Sequence, residues 1–300
     1  MNERVVVFGG AGFLGCYVVE ELLKRGYRVT AADLRKSEYL PDGCDFVECN
    51  IMNRELVSRL ITPEVSYVYN FAGMANLDMA VTMPVETIET NIVGNLNILE
   101  GCKNKNIKRY IYASSAYALS DRGSFYGVSK LASEKLTEEY YRAFGLEFTI
   151  IRYGSVYGER AYGNNYLYSV LKSAITEKKI VHDRDGQEVR EYIHAQDAAS
   201  MSVDIIEDSR FSNGHIILTG IERMPRVDLF TMIKEILGND VEIILNKEVN
   251  DHHYKLTPYS FHPSVCKKLV PNPFIDMGQG ILDCIREIHD REINRKENGD

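Results

Sequence analysis

No stretch of this 300-residue chain approaches the ~18 uninterrupted apolar residues of a membrane span, so no membrane partner is expected. No dense Lys/Arg run is present either. Acidic residues outnumber basic ones, 43 to 35, and the net charge of −8 argues against nucleic acid and anionic surfaces as partners. A phosphate-bearing ligand stays open, because a few local donors bind it whatever the net charge. The six cysteines (Cys16, Cys44, Cys49, Cys102, Cys266, Cys284) form no CxxC pair and no Cys/His zinc spacing, so no metal site is expected. They read as thiols of a reducing, cytoplasmic compartment, with Cys44 and Cys49 the one pair close enough in sequence to bridge. There is no Pro/Gly/Ser linker between the halves, no internal repeat and no low-complexity tract. Residues 1–4 run straight into a strand-like segment, so no leader peptide is expected. What is there is ordinary globular composition, 45% hydrophobic and 26% charged, enough to bury a large core in one large domain or two modest ones.

The first half alternates two kinds of segment. Short apolar runs at 5–8, 27–33, 45–49, 67–71, 109–114 and 148–152 read as strands. Amphipathic segments at 13–25, 53–60, 85–103 and 126–144 read as the helices between them. Right-handed crossovers then give a doubly wound parallel sheet covered on both faces, an α/β fold. After Arg152 the rhythm changes, and glycines and tyrosines cluster. Helices are expected at 166–177 and at 198–206, the latter capped by Asp197, with smaller elements at 188–193, 216–218, 227–237 and 241–245. The expected organisation is a nucleotide-binding domain over 1–165, a segment returning to it near 188–208, and a smaller C-terminal domain over 166–300.

Gly9-Gly10-Ala11-Gly12-Phe13-Leu14-Gly15 falls where the first strand ends and the first helix begins. Gly9 permits a tight turn, Gly12 lets the backbone approach a pyrophosphate, and Gly15 lets helix pack on sheet. The helix N-terminus offers N–H donors and partial positive charge to phosphates. Asp33, eighteen residues beyond Gly15 at the end of the second strand, supplies the carboxylate for an adenosine ribose and favours NAD over NADP, with Arg35 nearby pulling the other way. A turn that merely needs glycines would explain the motif alone, but not the motif with its strand, helix and aspartate.

Tyr126 and Lys130 stand at i and i+4, on one helical face. The lysine charge and the positive ring of NAD⁺ are expected to lower the phenol pKa, letting Tyr126 take a proton from a sugar hydroxyl as hydride leaves the same carbon. That spacing alone is common. Ser114-Ser115, at the C-terminal rim of the fifth strand where doubly wound sheets bind ligands, shifts the balance towards chemistry.

Together these residues, with Asn91, the run Arg152–Arg160 and the run Arg190–Ala199, resemble the extended short-chain dehydrogenase/reductase family, and within it the nucleotide-sugar epimerase/dehydratase group. The likeness spans about two thirds of the chain. It implies a Rossmann-type domain with bound NAD, a smaller C-terminal substrate-binding domain and often a homodimer. It implies catalytic roles for Ser115, Tyr126 and Lys130. It places Gly9, Gly12, Phe13, Leu14, Gly15, Asp33, Asn50, Ile51, Phe71, Ala72, Gly73, Asn91, Ala113, Tyr126, Lys130 and Tyr153 at the cofactor, and Ser115, Ala116, Ser155 and Arg190 at a nucleotide-sugar substrate. Three departures matter. Ala116 and Tyr117 replace the Asp-Glu pair of the 4,6-dehydratases, Asn50 replaces an adenine-binding Asp, and Ser155 replaces an Asn that helps hold the nucleotide phosphates. The expected activity is therefore an NAD-dependent nucleotide-sugar 4-epimerase. A nucleotide-sugar dehydrogenase/reductase or dehydratase of the same family is the enzymatic rival, and a non-catalytic NAD-binding regulator the rival of another class.

Other residues read more plainly. His194 is expected to bond backbone, and Asn91 to tie sheet to helix. The tyrosines at 153, 157, 162, 166 and 168 read mostly as packing with some pocket lining, and the 252–254 and 257–259 segments form a polar-aromatic patch in the tail. The wide apolar faces of 85–103 and 126–144 meet either a second subunit or the chain's own core.

Overall fold

Val5, Val6, Val7 and Phe8 are all buried, as a strand without polar alternation must be when both its faces are covered. The computed structural model describes residues 3–162, 165–221, 223–246, 254–255 and 267–298. In chain order the strands are β1 (Arg4–Phe8), β2 (Arg28–Asp33), β3 (Asp45–Glu48), β4 (Val65–Asn70), β5 (Arg109–Ser115), β6 (Phe148–Tyr153), β7 (Ser155–Tyr157), β8 (Lys179–His182), β9 (Val189–His194), β10 (Gly214–Leu218), β11 (Arg223–Pro225), β12 (Glu242–Leu245) and β13 (Lys267–Leu269). Eight of them form one parallel sheet in the order β3–β2–β1–β4–β5–β6–β10–β13. The order reverses between β1 and β4, which opens a crevice at their C-terminal ends.

Helices α1 (Phe13–Lys24) and α8 (Ala195–Asp204) cover one face around Val5, Val7, Leu22 and Val203. Helices α2 (Arg54–Leu60), α5 (Gly94–Cys102) and α6 (Ser124–Phe144) cover the other around Val6, Phe8, Val57 and Leu99. A separate core forms where α7 (Tyr166–Thr176), α9 (Arg226–Ile236) and α10 (Met277–Asn298) enclose Leu171, Phe230 and Ile281. Two small sheets, β11–β9–β7 and β12–β8, join the parts. The fold is thus the doubly wound α/β sheet expected. The main sheet, however, also takes β10 and β13 from beyond residue 165, and β13 had no counterpart in the sequence reading.

Two local expectations are corrected. Asp197 does not cap α8. The helix starts three residues earlier because His194 Nδ1 accepts the Gln196 N–H, and Asp197 instead accepts the Ile275 N–H at 2.8 Å. The segment 85–103 is helical but not uniform. Between α4 (Pro84–Ile88) and α5 lies a π-helical turn, Glu89–Val93, with Asn91 at its centre. The Asn91 carbonyl accepts the Ser133 hydroxyl of α6 at 2.8 Å, an outside partner beside a wider helical turn. Cys44 and Cys49 are free thiols, as are Cys16, Cys102 and Cys284; Cys266 lies outside the described residues. No helix among the described residues is long and apolar enough to cross a membrane.

Candidate active site

The glycine turn is built for close approach. Gly9 has φ +73°, and a Cβ there would lie 2.5 Å from the Ala72 nitrogen; at Gly15 it would lie 2.0 Å from the Gly9 carbonyl oxygen. Helix α1 begins at Phe13 with no side-chain cap and no acidic residue in its first turn. Its leading N–H groups, which no helix can satisfy internally, meet the needs of a diphosphate. Asp33 closes the turn: Oδ2 accepts the Ala11 N–H at 3.0 Å and Oδ1 the Leu34 N–H at 2.7 Å. Burial nonetheless holds its carboxyl above the ordinary value, against these backbone bonds. These residues fit NAD. Asn50 accepts the Met52 N–H through Oδ1, which leaves its amide end for an adenine. The side chain of Ile51 is buried in the core against Gly94 and its carbonyl accepts from Asn97, so only its backbone N–H is left for a cofactor.

On the far side of the crevice, β4 ends at Asn70, whose buried amide binds Asn95 and accepts the Ala72 N–H, shaping the turn through Phe71, Ala72 and Gly73. Asn91 is spent in the same way. Its Oδ1 accepts the Met74 N–H at 2.7 Å, and its Nδ2 donates to the Met74 carbonyl and to Ser129 Oγ. It fixes the loop to α6, the sheet-to-helix tie expected of it, with its side-chain amide engaged within the chain.

Ser115 ends β5, and Tyr126 and Lys130 lie on α6 above it. The Ser115 hydroxyl, which accepts the Tyr117 N–H at 3.3 Å, lines the same cleft as the Tyr126 phenol, while Lys130 Nζ donates to the Ala113 carbonyl at 2.8 Å and stands 5.8 Å from the Tyr126 ring centre. Burial draws the Lys130 ammonium down to about 8, against the opposing charge of Glu134. The expected lowering of Tyr126 is not found in the chain itself. Burial raises the phenol, the nearby Ser115 hydroxyl pulls it back in part, and Tyr254 pushes it up again. Tyr153 stands at the end of β6, its hydroxyl bonded to Ser202 Oγ and its ring tilted against Phe71.

A cleft of about 590 Å³ opens from these residues towards the C-terminal core, and Ser115, Tyr126, Tyr153, Ser155 and Arg190 all line it. Ala116 does not; it is buried against Ile217. Tyr157 and Tyr166 line the cleft, whereas Tyr162 and Tyr168 line a separate groove beside α10. Of the tail patch, Tyr254 reaches the cleft, and 252–253 and 257–259 lie outside the described residues.

The sequence reading missed Arg226, which lines this cleft with Arg184 and Arg190. Arg190 and Arg226 are only 2% and 8% exposed, yet Arg190 Nη2 and Arg226 Nη1 have no hydrogen-bond partner among the described residues. Arg190 donates to the Val189 carbonyl and stacks 4.1 Å from the Tyr254 ring centre; Arg226 lies 3.6 Å over Tyr166. Beneath them runs a bonded chain, with the Tyr166 hydroxyl on His182 Nδ1 and His182 Nε2 on Glu188. Buried, unsatisfied guanidinium groups beside an open cleft call for an anionic ligand. His194 behaves as expected, bonding the Gln196 N–H and the Glu159 carboxylate.

A family model described as the NAD dependent epimerase/dehydratase family matches residues 5–220. A putative UDP-glucose 4-epimerase of Methanocaldococcus jannaschii is 26% identical to this chain, over 92% of it and 95% of the relative. A UDP-N-acetyl-alpha-D-glucosaminuronate decarboxylase of Bacillus cytotoxicus is 29% identical, over 74% and 76%. Among solved structures, a UDP-glucose 4-epimerase of Thermotoga maritima with UDP-glucose superposes with a TM-score of 0.82 at 24% identity, covering 96% of this chain and 99% of that one. A UDP-glucuronic acid 4-epimerase of Bacillus cereus, in complex with UDP-glucuronic acid and NAD, superposes with a TM-score of 0.83 at 21% identity over the same shares.

Proposed function

Because this chain belongs to the NAD dependent epimerase/dehydratase family and is an enzyme, we propose that it is a nucleotide-sugar 4-epimerase acting through a transient 4-keto sugar. The observation that carries the reading is the shared wall. The hydroxyls of Ser115 and Tyr126 line the same cleft as the unsatisfied atoms of Arg190 and Arg226, so one ligand can meet both a proton acceptor and an anion seat. The arginines take the diphosphate and hold the sugar by its anionic end, while Ser155 and Tyr157 line the wall between. Tyr126 accepts the C4 hydroxyl proton as that carbon becomes a ketone, and Ser115 holds the same oxygen. NAD, when bound, supplies a hydride acceptor for C4 and a positive ring whose field lowers the Tyr126 phenol. The keto sugar turns over in the cleft, so that C4 regains its hydride on the opposite face while Tyr126 returns the proton to the oxygen. Ala116 and Tyr117, where the dehydratases carry carboxylates, offer no acid/base pair for loss of water.

In this reading residues 1–165, with the 188–208 return, bind the cofactor and 166–300 hold most of the substrate seat. The α4–α6 face leaves Val85 63% and Val128 60% exposed, which suits a second copy of the chain as partner. The free thiols suit a cytoplasmic setting. The test is a panel of nucleoside diphosphate sugars assayed for the C4 epimer while nicotinamide absorbance is followed. Conversion without lasting absorbance change is expected, and Tyr126→Phe is expected to lose about 10²–10⁴-fold in kcat. Stoichiometric NADH formation or consumption would replace the epimerase with the oxidoreductase.

A further inference from the structure

Backbone pairing brings Arg190 and Arg226 together. Strand β11 runs antiparallel to β9, with Pro225 opposite Val189 and Met224 opposite Arg190. The Arg226 N–H continues that ladder to the Glu188 carbonyl at 3.1 Å. Opposed residues share a face of a sheet, so Arg226 and Arg190 are diagonal neighbours on one face. Two cations so placed repel each other, and burial keeps both from turning to water. The carboxylate opposite Arg226, Glu188, already meets His182 at 3.2 Å and Arg184 at 3.4 Å.

Each guanidinium instead lies on an aromatic face. The Tyr254 ring centre is 4.1 Å from Arg190 Cζ, and the Tyr166 ring centre is 3.6 Å from Arg226 Cζ. Both rings are themselves fixed. Tyr254 is 7% exposed and packs 4.6 Å from the Tyr117 ring, while the carbonyl of the next residue, Lys255, accepts the Val189 N–H at 2.9 Å. Tyr166 opens α7, and its hydroxyl bonds His182 Nδ1 at 2.9 Å. A ring face attracts a cation through its quadrupole, and most strongly where water is excluded. It takes none of the N–H donors, so it can hold a guanidinium and leave the donors for a ligand. We propose that Tyr254 and Tyr166 are positioning residues, whose ring faces hold the two arginines so that Arg190 Nη2 and Arg226 Nη1 stay open to a diphosphate. The proposal rests on the anion seat described above and adds its two supports. Ordering both side chains before the ligand arrives lowers the entropy that binding costs.

The experiment titrates inorganic pyrophosphate by calorimetry into protein already loaded with NAD, so that the glycine turn is filled. Loss of the signal in Arg190→Leu/Arg226→Leu assigns it to the seat. Tyr254→Leu and Tyr166→Leu should each raise the pyrophosphate Kd about tenfold. Tyr254→Phe and Tyr166→Phe keep the ring face and should stay within about twofold of wild type. Pentafluorophenylalanine in place of Tyr254 keeps the ring but reverses its field. It should bind as weakly as Tyr254→Leu, and this comparison holds even where a leucine variant does not fold. Folded leucine variants that bind like wild type overturn the proposal. So does a fluorinated ring that binds like Tyr254→Phe, which would leave the tyrosines as packing alone. Wild type that binds no pyrophosphate removes the seat and its supports together. If pyrophosphate binds as described but no nucleotide sugar is converted, the epimerase reading alone fails.

Discussion

The two ends of the crevice offer themselves to negative charge by opposite means. At the α1 end the donors are backbone N–H groups in a turn whose glycines admit no side chain, and no side-chain cation is built in. At the α9 end the donors are the side chains of Arg190 and Arg226, buried with one nitrogen each unsatisfied. The first arrangement is rigid and neutral, so it costs the folded chain little. The second holds positive charge away from water with no counter-charge on those nitrogens, which destabilises the fold until an anion arrives. On the reading proposed above, the difference teaches that the cofactor end selects by shape and the substrate end by charge. A matching ligand at the substrate end should therefore raise the melting temperature strongly.

The sharpest way to break this comparison is Gly15→Val. Its Cβ would fall 2.0 Å from the Gly9 carbonyl oxygen, so the turn must open. NAD affinity should drop about a hundredfold or more, from the ~3 kcal/mol that severe overpacking costs, as measured by calorimetric titration. Next comes Arg226→Leu. Nucleotide-sugar Kd should rise about a hundredfold, given the ~2–5 kcal/mol lost with one partner of a buried charged contact, with NAD binding unchanged. The melting temperature of the ligand-free variant should stay level or rise, because an unsatisfied charge is removed. A fall in NAD affinity here, or in sugar-nucleotide affinity alone for Gly15→Val, would erase the division.

The same contrast explains what could be read in advance. A backbone site needs glycines in one short run, so residues 9–15 with Asp33 announced it. A side-chain site draws on positions far apart: Arg190 stood in a motif, but Arg226 opens α9 and Tyr254 comes from the tail, and only packing brings them together. The main strands were legible because β1 and β4–β6 are buried apolar runs. The π turn at Asn91 was not, because apolar periodicity does not register an extra residue whose carbonyl is taken by Ser133. Asp197 was misplaced because His194 two residues ahead of Gln196 does the capping, a role usually taken by Ser, Thr, Asp or Asn.

A smaller effect sharpens the picture of the substrate end. Burial pushes Glu188 up, but the His182 bond, a backbone N–H bond and the charges of His182 and Arg226 together outweigh it, and the carboxyl sits at about 2. A carboxyl lowered from the ~4.3 of the unfolded chain contributes stability that is complete above that value and lost as pH falls towards 2. The melting temperature should fall by a few degrees between about pH 5 and pH 2, and less steeply in Glu188→Gln.

The account stands on Tyr126 working beside C4 of a sugar held by the arginine end. The most direct measurement uses a nucleoside diphosphate hexose carrying deuterium at C4. The account predicts the C4 epimer with its deuterium retained and no reduced nicotinamide left over. Epimer formed with the label washed out to solvent, or NADH accumulating with the keto sugar, would contradict it.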